Sequence, residues 1–126
     1  MSVTAVDASA VAAVLFMEPE GKAVLPRLSG RLIAPLLLPF ELANVCRQKM
    51  RRQPSLSAAW LERFRALPAL AIDFLPADFD SLPELAAHYD LSGYDAAYLQ
   101  LALAHHAPLV TLDARLARAH ERAGGP

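Results

Sequence analysis

The feature that most limits what this chain can fold into is a recurrence of short apolar runs, each followed by residues spaced for a helix. Val3 to Val6, Leu32 to Leu38, Ala71 to Leu75 and Pro108 to Leu112 read as strands, with Pro35 an awkward residue for a central one. Between them, Ser9 can cap a helix through Ala10, Val11, Val14 and Leu15, and Glu20 to Leu28 forms a short second helix. A third runs from Pro39 to about Arg52, opened by its proline and stopped by Pro54, and a fourth from Ser55 to Leu67. Asp80 to Tyr89 and Tyr94 to His106 are helices on either side of a Leu91-Ser92-Gly93 loop, and Ala114 to Ala123 is the last. Strands alternating with helices predict an α/β fold whose parallel sheet is covered on both faces. At 126 residues, 55% of them hydrophobic, the chain has the length and the apolar content for a single domain over residues 1–126.

Four acidic residues interrupt this apolar pattern: Asp7 and Asp113 where strands end, Glu41 in the first turn of the third helix, and Asp95 at the start of the sixth. A carboxylate among apolar neighbours needs a partner that offsets its desolvation, and a shared divalent cation is the simplest one for four. In doubly wound sheets, sites gather beyond the carboxyl ends of the strands where the winding reverses, which is where these four could converge. Each also has an ordinary structural use. Glu41 and Asp95 suit the positive end of a helix dipole, Asp113 can cap the last helix, and Asp7 can pair with an arginine.

Composition narrows the function classes. A net charge of -1 excludes a protein that holds nucleic acid by overall positive charge, so any RNA contact is local. The run Arg47-Gln48-Lys49-Met50-Arg51-Arg52 offers such a patch, though a basic helix end also complements the dipole. The single Cys46 forms no internal disulfide, which predicts an intracellular, cytoplasmic protein. Met1 to Met17 lacks the basic leading segment of a signal peptide, and no apolar run approaches the ~20 residues of a membrane helix, so no membrane partner is expected. His88, His105, His106 and His120 lack zinc-ligand spacing, and an Asp/Glu cluster favours magnesium or manganese. Tyr94 and Tyr98 flank the acidic group, as packing residues or as surfaces on which a base stacks.

The segments Val6-Asp7-Ala8-Ser9, Glu41-Leu42-Ala43-Asn44, Tyr94-Asp95-Ala96-Ala97-Tyr98 and Thr111-Leu112-Asp113-Ala114-Arg115-Leu116, in this order and at this spacing, resemble the PIN-domain ribonucleases. Within that family they resemble the VapC-type toxins of type II toxin–antitoxin pairs. The resemblance implies a three-layer α/β/α fold with a central, mostly parallel sheet of four to five strands. It also implies an acidic pocket of Asp7, Glu41, Asp95 and Asp113 binding Mg2+ or Mn2+, with Thr111, Ser9 and Asn44 as polar neighbours that orient carboxylates or water. The activity implied is endoribonuclease cleavage of an RNA substrate, with a cognate antitoxin as partner and a homodimer as assembly. Such domains commonly add a short strand after the last helix, where this sequence has Gly124-Gly125-Pro126.

Two other readings compete. A phosphatase-like hydrolase with Asp7 as nucleophile wants a lysine near the late acidic motif, and the only lysines are Lys22 and Lys49. A catalytically inactive PIN-like module would bind RNA or protein without cutting.

Overall fold

The computed structural model describes residues 2–126. Four parallel strands, β1 (Val3–Val6), β2 (Arg31–Pro35), β3 (Asp73–Leu75) and β4 (Leu109–Val110), form one sheet in the order β3-β2-β1-β4. The pairing aligns Ala5 with Ile33 on one side and with Leu109 on the other, and Pro35 with Leu75. Winding runs outward from β1 through β2 to β3, then crosses back to place β4 on the opposite side of β1. The reversal therefore lies between β1 and β4.

Seven α-helices connect and cover the strands: α1 (Ala8–Leu15), α2 (Gly21–Val24), α3 (Leu38–Arg52), α4 (Ser57–Phe64), α5 (Leu82–Tyr89), α6 (Gly93–Ala104) and α7 (Ala114–Arg122). They associate in two groups, α1 to α4 and α5 to α7, which gives the three-layer α/β/α arrangement expected from the alternation. Helix α6 is the central one. It touches β1, β2 and β4 and carries a buried run, Ala96 to Leu99, continued by Leu101 and Ala102. Val6, Ile33, Val110, Leu38, Leu42, Leu99 and Leu116 are the fully buried centre of the core. Such side chains each contribute about 1.5–3 kcal/mol through burial.

Several boundaries differ from the sequence expectation. Asp7, not Ser9, caps α1: its backbone is extended and its Oδ1 accepts from the Ala10 N–H at 3.0 Å. Strand β2 ends at Pro35 because proline offers no further N–H to a ladder, and Leu38 instead opens α3 with Pro39 behind it. Strand β3 begins late because Ala71 is left-handed, at φ 52°. Strand β4 is short because the next amides leave the sheet for side chains. Leu112 N–H donates to Ser9 Oγ at 2.9 Å, and Asp113 N–H to Thr111 Oγ1 at 3.0 Å.

The entry into β2 depends on Gly30, whose φ of +69° is left-handed and whose position leaves no room for a Cβ, since one would lie 2.5 Å from the Ser2 carbonyl oxygen. Among the described residues no strand follows α7, and no helix is long and apolar enough to cross a membrane.

Candidate active site

Asp7 leaves β1 at the point where the sheet reverses and is only 5% exposed. Its Oδ1 accepts from Ser9 Oγ at 2.7 Å as well as from Ala10 N–H, and its Oδ2 accepts from Thr111 Oγ1 at 2.5 Å. The two hydroxyls each accept in turn from a backbone amide of the loop after β4, namely Leu112 to Ser9 and Asp113 to Thr111. Asp7 is thereby clamped to the opposite side of the reversal. A hydroxyl is needed at both positions because each must donate to the carboxylate and accept from an amide.

Asp113 lies at the far end of that clamp. Its Oδ1 caps α7 by accepting from the N–H groups of Arg115 and Leu116. The ordinary use as a helix cap is thus realised, and Oδ2 is left for another partner. Asp95 sits in the first turn of α6, whose start is capped by Ser92 Oγ accepting from the Asp95 N–H at 3.0 Å. Glu41, in the first turn of α3, accepts from the Tyr98 hydroxyl at 2.5 Å on Oε1. Tyr98 is 2% exposed, so this bond ties α3 to α6 inside the molecule. Asn44 is exposed, one turn beyond Glu41, and lines the same cavity.

Charges on these elements act on one another. Burial pushes the Asp7 carboxyl above the ordinary aspartate range against the pull of its three donors, and Asp113 adds repulsion. Glu41 is raised by burial, relieved by Tyr98, and raised again by Asp95 and Asp7. Asp95 is raised by burial and by Asp113 and Asp7, with Ser92 and Arg115 opposing. Asp7 and Asp95 thus repel both Glu41 and Asp113, with Arg115 as the cation that moderates the field at Asp95. Arg115 is itself engaged by Asp90, whose carbonyl it reaches at 2.6 Å.

Among the described residues, no three of these side chains are close enough together to be direct ligands of one ion. The donor set nevertheless fits a hard divalent cation. All donors are carboxylate oxygens, the negative charge is largely uncompensated, and magnesium keeps several waters while taking only one or two carboxylates directly.

The sequence placed Tyr98 beside the acidic group as a packing or stacking residue, not as a donor to Glu41. Asp95 and Tyr98 are three apart in a helix and so share a face, which was the available signal. The sequence could not show that Glu41 faces the same point from another helix.

A model of the PIN domain matches residues 4–121. The chain is also similar to the crystal structure of PAE2754 from Pyrobaculum aerophilum, at 26% identity and a TM-score of 0.75, over 94% of this chain and 87% of that one. No curated protein matches it.

Proposed function

From the premise that this chain belongs to the PIN domain family, whose members generally have nuclease activity, we propose that it is a metal-dependent endoribonuclease acting through Asp7, Glu41, Asp95 and Asp113. The observation that supports this reading is that Asp7, clamped at the sheet reversal, and Glu41 and Asp95, in the first turns of two helices, are each held above their ordinary pKa by burial and by repulsion from neighbouring carboxylates. A fold does not maintain such repulsion for stability, and a cation relieves it.

Asp7, Glu41, Asp95 and Asp113 would hold the Mg2+ or Mn2+ that members of the family usually use. When bound, the ion supplies a lowered pKa for water and neutralises charge on the attacking and leaving phosphate oxygens. The protein's own contribution is positional. Ser9, Thr111 and the Ala10 amide fix both oxygens of Asp7. Tyr98 fixes Glu41 through Oε1 and leaves Oε2 for a ligand.

The toxin role, with a cognate antitoxin and a homodimer, is part of the same proposal and rests on the VapC-type resemblance. Exposed Met17, Leu25, Leu36 and Phe79 are the kind of apolar surface that such association covers.

The test is cleavage of total cellular RNA by the purified protein with Mn2+, with Mg2+ and with chelator, beside Asp95→Asn. Cleavage by the wild type with metal only, and loss in the variant, is the expected result. A folded, metal-binding protein that cuts no RNA under any condition would turn the reading to a PIN-like binding module.

A further inference from the structure

Two aromatic side chains stand in solvent next to the acidic group, and each immediately precedes one of its carboxylates: Phe40 before Glu41, and Tyr94 before Asp95. Phe40 is 72% and Tyr94 68% exposed, a costly position for rings that nothing in the fold requires to be there. Together with Leu37, Glu41 and Asn44 they line a cavity of about 410 Å³. Phe40 and Tyr94 therefore wall the space onto which Glu41 opens.

We propose that the cavity lined by Leu37, Phe40, Asn44 and Tyr94 is a nucleobase pocket, which takes one unstacked base of a single-stranded RNA beside the bond to be cut. The inference rests on the nuclease reading for its substrate, and its own support is the chemistry of the lining. Among the described residues no lysine or arginine lines the cavity and Glu41 does, so a phosphate is repelled from it and only the base of a nucleotide suits it. Two rings provide stacking surfaces, and single-stranded RNA is recognised by splaying bases onto aromatic side chains. Asn44 adds an amide that both donates and accepts, the pairing needed for the edge of a base. An apolar peptide would need no such amide and suits the adjoining cavity of about 670 Å³, which shares Leu37, Phe40 and Tyr94 and runs on to Leu36, Leu75, Phe79 and Leu82; Glu41 and Asn44 are what set the smaller cavity apart.

The probe is an unstructured RNA dodecamer carrying 2-aminopurine, bound with Mg2+ by the full chain silenced with Asp7→Asn. Adding Phe40→Ala or Tyr94→Ala should weaken binding about 5- to 100-fold, the range of one base–aromatic stack, while Phe40→Trp retains it. In the Asp7-containing protein the same alanine variants should raise KM by the same factor with kcat nearly unchanged, since a base held equally in ground and transition states affects binding alone. Both rings are exposed, so unchanged thermal unfolding serves as the folding control.

Dodecamer binding that is equally tight in the alanine variants overturns the pocket, as does no binding by the parent. Aromatic-dependent binding without cleavage by any variant keeps the pocket and removes the nuclease. Cleavage with unchanged KM does the reverse, and assigns the rings to a protein partner.

Discussion

Replacing Asp7 by asparagine should remove activity yet leave the metal-free protein at least as stable at pH 8. Asparagine keeps Oδ1, so the bonds from Ser9 Oγ and the Ala10 amide survive, and with them the α1 cap. On the other oxygen the bond reverses. The new Nδ2–H donates to Thr111 Oγ1, and the Thr111 hydroxyl turns toward Ser9 Oγ, 3.4 Å away. All three bonds to Asp7 lose their charge assistance, which together costs on the order of 1–3 kcal/mol. Against this stands the relief of a charge that burial and Asp113 both disfavour.

The balance depends on pH, and its sign is fixed. Asp7 binds its proton more tightly folded than unfolded, so its contribution to stability is full below its ordinary value of 3.8 and is lost as pH rises through the higher folded value. Glu41 and Asp95 act in the same direction. Wild-type stability without metal should therefore fall as pH rises from 3.8 through the folded-state values, and the Asp7→Asn protein should show a shallower fall. The variant should gain on wild type as pH rises through that window. Urea unfolding in chelator at pH 3.5, 5, 6.5 and 8 measures it. Parallel pH dependences, or a variant more than about 2 kcal/mol less stable at pH 8, would refute the reasoning and make Asp7 a well-satisfied structural cap.

Three further outcomes follow from the geometry. Tyr98→Phe removes only the hydroxyl on Glu41, so stability should fall by about 1 kcal/mol in urea unfolding while kcat at pH 7 drops roughly 10-fold, because Glu41 loses both its orientation and the bond that favours its ionised form. Thr111→Val strands the Asp113 amide and removes a donor from Asp7, and should cost about 2–4 kcal/mol by the same assay. Gly30→Ala forces a Cβ against the Ser2 carbonyl at a left-handed φ, and should lower stability by at least about 1–3 kcal/mol, read as a drop in Tm.

The fold was legible where local pattern and burial agree. Val3 to Val6 is a strand in both readings because a short, mostly apolar and β-branched run ends at an acid, and α6 follows its apolar spacing closely. The four acids were legible for the same reason: charges at the ends of buried runs are conspicuous. Ser9 and Asp7 are both good caps two residues apart, and only the approach of Thr111 from the far end of the chain decides between them. The early end of β4 has the same origin, since its amides are taken by hydroxyls that the linear pattern cannot bring near. Tyr98 looked like an ordinary core aromatic, which it also is. Its role with Glu41 exists only once α3 and α6 meet. The exposure of Phe40 was equally hidden, because at helical spacing a ring beside a buried turn reads as core.

The most direct test of the central claim is a crystal soaked in Mn2+ and measured at the manganese absorption edge. An anomalous peak is expected among Asp7, Glu41, Asp95 and Asp113, with direct bonds to one or two of them and waters completing the shell. Saturating Mn2+ with no peak there, or a peak only elsewhere on the surface, would contradict it.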